Sequence, residues 1–293
     1  MELSPSRAGA RLALGTVQFG ASYGINNQRG RVPETETSEI LALAEAHGID
    51  TLDTAPVYGD SEPVLGRLSV ASGRFRLVSK LPACSAGEAE GRLRESCRSL
   101  RTPALYGYLL HHFDSYRKDP KVFGMLGEFK RQGLVQKIGF SLYRPEELQL
   151  VLERGQVFDL VQIPGNVLDR RFLPHLEKLK SLGVEVHVRS AFLQGLLLSD
   201  PAKLSGRLRK VRPALEELRG IAARNSLSVA SLCLNFVLAQ GHVDKVVVGV
   251  DGLAHLRENL EYTVQLPRVR NLLPELAALE QDDEEILIPS NWG

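Results

Sequence analysis

Short apolar runs alternate with amphipathic stretches from one end of the chain to the other. Eight runs carry the aliphatic, β-branched and aromatic content of strands: LALGT (12–16), IDTLD (49–53), FRLVSK (75–80), LYGYLLH (105–111), QKIGFS (136–141), FDLVQI (158–163), VEVHVRS (184–190) and DKVVVGV (244–250). The stretches between them read as helices. In ETSEILALAEAHG (36–48), Ile40, Leu41, Leu43 and Ala44 recur at helical spacing before a glycine stop. The segments 88–100, 122–133, 145–155, 172–183 and 253–262 follow the same pattern. Gly48, Gly133, Gly155 and Gly183 each stand between a helix and the next strand, the place of a C-terminal helix cap.

Strands that alternate with helices predict a parallel sheet, and a count of eight favours a closed (β/α)8 TIM barrel over an open doubly wound sheet. The GxGxxG fingerprint of an open dinucleotide fold is missing after the first strand. LALGTVQFGASYG spaces its glycines differently and leads into a loop. No repeat, low-complexity tract or linker divides the sequence, so a single α/β domain over 1–293 is expected. Residues 196–235 hold more helix than one crossover needs, and 271–293 follow the last barrel helix. Both are expected as added helices and a C-terminal tail over the active-site face.

Composition narrows the partners. The 293 residues, 43% hydrophobic and 24% charged, are ordinary for a globular chain and suit one barrel of ~250 residues plus loops. A formal net charge of +1 supplies no strong field for nucleic acid or an anionic membrane. Arg207, Arg209, Lys210 and Arg212 read as a solvated helix face, with capture of a cofactor phosphate as the alternative. Cys84, Cys97 and Cys233 lack CxxC spacing, which argues against a disulfide framework or a zinc site. The first fifteen residues lack the apolar core and cleavage site of a leader, and no apolar run reaches the ~20 residues of a bilayer span. A cytoplasmic monomer is expected.

Barrel enzymes work from the carboxyl ends of their strands. The polar residues there are Thr16, Asp53, Lys80, His111, Ser141, Gln162 and Ser190. Tyr58 follows Asp53 by five residues, close enough to swing back over the mouth. Taken singly, each has a plain reading: Asp53 as a helix cap, Tyr58 as a surface aromatic, Lys80 as a solvated charge, Ser141 and Gln162 as partners of buried backbone. Together they form complementary chemistry. A phenol with a reference pKa of about 10 is expected to be acidified by the Lys80 ammonium, which Asp53 orients. His111, neutral, would direct a carbonyl oxygen towards Tyr58. No group here is a hydride source, so a cofactor is implied. His111 and His112 should point to opposite faces of a strand, which argues against a metal site. A Schiff-base aldolase with Lys80 as nucleophile is the rival from another enzyme class.

These residues carry a resemblance. DTAPVYGDSEPVLG (53–66), LVSKLP (77–82), YLLHHFD (108–114), QKIGFS (136–141), VQIPGN (161–166) and GVDGLAHLREN (249–259) resemble the aldo-keto reductases, in family order over nearly the whole chain. The resemblance implies hydride transfer between a nicotinamide and a small carbonyl or alcohol substrate, with Asp53, Tyr58, Lys80 and His111 as catalytic residues. It places Thr16, Asp53, Ser141 and Gln162 at the nicotinamide and Ser190, Phe192, Gln194 and Gly195 in a pyrophosphate loop. Gly249, Asp251, His255, Glu258 and Asn259 fall at the adenosine end. The family's usual Asn after the serine is Leu142 here. NADP is the expected cofactor, with NAD as the alternative, because Asp251 would repel a 2′-phosphate and accept from a free ribose hydroxyl. Trp292 is expected either to plug the tail or to line the substrate pocket. A polar, sugar-like substrate is expected in preference to a steroid. The resemblance also leaves open a regulatory subunit that holds cofactor as a redox sensor.

Overall fold

Each of the eight apolar runs becomes a strand in the computed structural model, which describes residues 9–69, 73 and 75–292. Residues 1–8, on which the reading of the N-terminus partly rests, lie outside that range. The strands are β1 (Leu12–Gly15), β2 (Thr51–Asp53), β3 (Arg76–Leu81), β4 (Leu105–Leu110), β5 (Val135–Ser141), β6 (Leu160–Pro164), β7 (Glu185–Arg189) and β8 (Lys245–Gly249). They pair in parallel in chain order, and β8 returns to β1 to close the barrel. The outer ring comprises α1 (Glu34–Ala46), α2 (Ser61–Ser69), α3 (Ala89–Ser99), α4 (Lys121–Arg131), α5 (Pro145–Glu153), α6 (Leu176–Ser181), α7 (Arg212–Arg224), α8 (Val229–Leu238) and α9 (Leu253–Tyr262). Gly48, Gly133, Gly155 and Gly183 all adopt the left-handed conformation at their helix ends, φ 78, 74, 63 and 74°, as the joints required.

The two-residue period of the strands sorts the side chains. One parity faces the helices and supplies the large core that includes Leu77, Leu81, Leu110, Phe140 and Val161. The other parity faces the barrel interior, where Val78, Leu109 and Leu160 form a separate small apolar layer. The paired register carries that inward set upward to Asp53, Lys80, His111, Ser141, Gln162 and Arg189.

Below the apolar layer the interior is ionic. Glu185 accepts from His187 Nε2 at 2.6 Å and from Tyr106 Oη at 2.7 Å, and it pairs with Lys137. Burial alone would raise the Glu185 pKa, but the bonds from His187, Lys137 and Tyr106 hold it well below the usual carboxylate range. Glu185→Ala would strand those partners, and with Lys137 a third exposed the expected loss is about 2–3 kcal/mol. The folded-state pKa is depressed, so this contribution is complete above the unfolded value of about 4.3 and fades as the pH falls below it. Urea unfolding of both proteins at pH 7 and pH 3 checks the prediction. An equal deficit at the two pH values would refute it.

The basic run beyond β7 is not a free cationic loop. Lys210 pairs with Asp283 and Glu285 of the tail at 3.2 and 2.8 Å, Arg207 donates to the Asn291 carbonyl, and Arg212 donates to the Ala202 and Leu204 carbonyls. These three cations fasten short turns and the tail together. Trp292 donates to the Ile286 carbonyl at 2.9 Å and packs on the core, as a plug does. All three thiols are free, and burial pushes each one's pKa up.

Candidate active site

The loop from β2 to α2 delivers Tyr58. Its turn is closed by Tyr58 N–H donating to Ala55 O at 3.0 Å and Ser61 N–H donating to Tyr58 O at 3.3 Å. The backbone lies directly on Gly20: a Cβ there would sit 1.8 Å from Tyr58 O, and Gly59 takes φ 60° against the same segment. Any side chain at residue 20 would lift the loop. With both glycines in place, the phenol folds back over the strand ends.

Lys80 is fully buried and donates to both Asp53 carboxylate oxygens at 2.8 Å, to Thr54 O at 3.0 Å and to Tyr58 Oη at 3.2 Å. Burial alone would pull the lysine pKa down, but Asp53 and Tyr58 reverse this and the net shift is upward. The amine is therefore charged and engaged, the opposite of the free neutral amine that a Schiff-base nucleophile requires. Burial also dominates at Tyr58 and raises the phenol pKa. Lys80 and Arg189 pull it back without cancelling the rise, to which Asp53 adds. The expected acidification is thus corrected: the ammonium acts in the expected direction, but desolvation outweighs it.

His111 stands edge-on to Tyr58, ring centroids 6.0 Å apart. Burial, then Lys80, His112 and Arg189, hold its pKa down to about 2, so the imidazole is neutral. Strand β4 ends at Leu110, and His112 already caps the next short helix, so the two rings stack at 4.8 Å. The opposite-faces argument therefore does not apply to this pair. No group of three metal-ligating residues occurs among the described residues.

Around this cluster the structure sorts the other candidates. Gln162 donates Nε2 to Asp53 at 2.7 Å, which leaves its buried Oε1 without a partner. Ser141 is its neighbour across the β5–β6 ladder. Thr16 is fully buried, its hydroxyl donating to Asp53 O at 3.0 Å and accepting from Ser61 at 2.7 Å. It ties β1 to β2 and to Ser61 at the start of α2.

Ser190 is not the last strand residue, as the pattern had suggested. β7 ends at Arg189, and the chain then enters a strained loop in which Ser190, Leu193, Gln194 and Gly195 have φ 65, 48, 53 and 97°. Asn166 donates to Ser190 O at 3.2 Å. Asn26 donates to Gly195 O at 2.8 Å, and Ile25 N–H donates to Gln194 O at 3.1 Å. Three left-handed non-glycine residues cost of order 1–3 kcal/mol each, strain that the surrounding contacts must hold in place. Phe192 packs half-buried against the core.

At the far end, Gly249 is packed on Gln18, whose amide leaves no room for a Cβ. Gln18 donates to Asp251 at 3.4 Å, and Asp251 lies 3.9 Å from His255. Asn259 is buried on α9, while Glu258 and Arg257 are exposed. Sequence reasoning missed Glu36, which accepts from Leu253 N–H at the start of α9 at 2.9 Å and pairs with Arg29 at 2.7 Å. Arg29 also donates to Asp251 O.

The Aldo/keto reductase family model matches residues 11–269. Among characterised relatives, an NADH-specific methylglyoxal reductase from Escherichia coli is 25% identical over 86% of this chain and 89% of that protein. An L-galactose dehydrogenase from Arabidopsis thaliana is 26% identical over 95% and 94%. Among solved structures, the holo form of an aldo-keto reductase from Bacillus halodurans superposes with a TM-score of 0.74 at 23% identity, covering 94% of each chain. The barrel is the fold of those structures, and the motifs sit in family order on its strand ends. The chain belongs to the aldo/keto reductase family of NAD(P)H-dependent oxidoreductases.

Proposed function

We propose that this enzyme reduces a small polar aldehyde or ketone with NADH, Tyr58 giving the proton to the carbonyl oxygen. One observation carries the reading: the buried Lys80 ammonium bridges Asp53 and the Tyr58 hydroxyl at 2.8 and 3.2 Å. The residues fit a nicotinamide. The orphaned Gln162 Oε1 is an acceptor for a carboxamide N–H, with Ser141 beside it, and the 190–195 loop and Glu258 and Asn259 would hold the rest of the dinucleotide. Bound there, the cofactor supplies the hydride for the carbonyl carbon. The raised pKa of Tyr58 keeps the phenol protonated at neutral pH, as a donor must be. The adjacent ammonium stabilises the phenolate left behind, and neutral His111 offers a second hydrogen bond to fix the oxygen. The names of the methylglyoxal reductase and galactose dehydrogenase support a small polar substrate.

The adenosine end supports NADH over the phosphorylated cofactor. A helix N-terminus is a ready anion site, but on α9 the Leu253 amide already holds the Glu36 carboxylate, with Asp251 close by. Against these two carboxylates Arg29 is one cation, already paired with Glu36. A 2′-phosphate entering there meets net negative charge. Fluorescence titration is expected to give at least about tenfold tighter binding of NADH than NADPH, with aldehyde-dependent NADH oxidation. Equal or tighter NADPH binding would overturn the cofactor assignment, and no turnover of any aldehyde would overturn the reductase reading.

A further inference from the structure

Arg189 has no place in the chemistry described so far, yet it occupies the barrel mouth. As the last residue of β7 it shares the inward parity of Glu185 and His187. Its guanidinium lies 4.0 Å over the Tyr143 ring, donating to Leu142 O at 3.0 Å and to Ser190 Oγ at 3.3 Å. Two of its five N–H groups are thereby used and three are left. Among the described residues it forms no ion pair, while neighbouring Arg144 and Arg171 are neutralised by Glu284 and Asp169. Lys80 is balanced by Asp53 and His111 is neutral, so Arg189 sets the charge of the mouth. Its field reaches Tyr58, His111 and Tyr23.

We infer that Arg189 binds an oxyanion on the substrate, so that the preferred carbonyl compound carries a carboxylate or phosphate within a few bonds of the C=O. A stacked, preoriented guanidinium presents its free N–H groups as a fork that matches such an anion. Little ordering entropy is lost on binding, because the protein already holds the fork in place. The charge of Arg189 acts on both groups assigned to the carbonyl oxygen, while its bond to Ser190 Oγ touches the start of the loop meant for the pyrophosphate, so substrate and cofactor are separated by the test. This inference rests on the reductase reading above.

The test uses matched aldehydes with NADH: butanal against 4-oxobutanoate, and glyceraldehyde against its 3-phosphate. The wild type is expected to favour the charged member of one pair by roughly 10- to 100-fold in kcat/KM, chiefly through KM. Which pair shows the effect separates carboxylate from phosphate. Arg189→Met should erase the preference, Arg189→Lys should restore part of it, and NADH affinity should stay within about threefold. No charge preference in the wild type, or an equal loss on both members of a pair, would overturn the assignment. So would weakened NADH binding in Arg189→Met, which would place the arginine at the cofactor. Calorimetric titration of the NADH-loaded protein with succinate and with inorganic phosphate gives a readout independent of turnover. Anion binding lost in Arg189→Met together with no activity on any aldehyde would condemn the reductase reading and leave the anion site standing. Binding of neither anion would remove the site.

Discussion

Replacing Tyr58 with phenylalanine is expected to lower kcat for carbonyl reduction by about 10³-fold, within the range a positioned general acid supplies. Only the hydroxyl is lost. The ring keeps its edge contact with His111 and its place 4.9 Å from the Lys80 ammonium. Lys80 keeps three of its four acceptors, so thermal stability and NADH affinity should hardly move. The pH profile of the wild type follows from the same groups. Burial holds the Tyr58 pKa above its ordinary value of 10, so the proton donor persists through neutral pH and the reduction rate falls only as the pH rises beyond about 10. His111, held down to about 2, contributes no limb between about pH 5 and 8. Steady-state rates of both proteins across that range decide the matter. A Tyr58→Phe enzyme within tenfold of the wild type would end the acid assignment. A wild-type limb near pH 7 would show that some other group titrates in the rate-limiting step.

The barrel was legible because strand and helix periodicities differ and each strand needed only a short apolar run. The Asp53, Lys80 and His111 positions were legible for a related reason: alternate residues on adjacent strands converge at one rim. Arg189 was hidden by a single residue. VEVHVRS reads as strand through Ser190, but Ser190 adopts φ 65°, which no strand permits, and so the inward arginine was passed over for its neighbour. The Glu36 contact with α9 joins residues 217 positions apart, and nothing local in either segment announces it. The direction of the Tyr58 shift was misread because neighbouring charge can be inferred from spacing, whereas depth of burial depends on every loop packed above the site. The basic run at 207–212 read as a solvated face with a phosphate site as the alternative, because the acidic partners of Lys210 lie about seventy residues later, in the tail.

Lys80→Met is expected to abolish turnover and also to destabilise the fold by about 3–5 kcal/mol, the usual result of removing one partner from a buried ion pair. Asp53 would remain almost fully buried with the Gln162 amide as its side-chain donor. This separates it from Tyr58→Phe, which breaks the chemistry alone. The lysine's own titration does not confuse the comparison. Its folded-state pKa is raised, so its stabilising effect is complete below about pH 10.4 and is lost only as the pH climbs through the higher folded value. Adding Asp53→Asn to Lys80→Met removes the stranded charge while leaving Gln162 an acceptor. The double variant should therefore recover most of the stability and none of the activity. Urea unfolding at pH 7 with parallel NADH oxidation assays measures both quantities. If the double variant is as unstable as Lys80→Met, the loss comes from packing around the lysine stem, and the buried pair does not have the electrostatic role assigned to it.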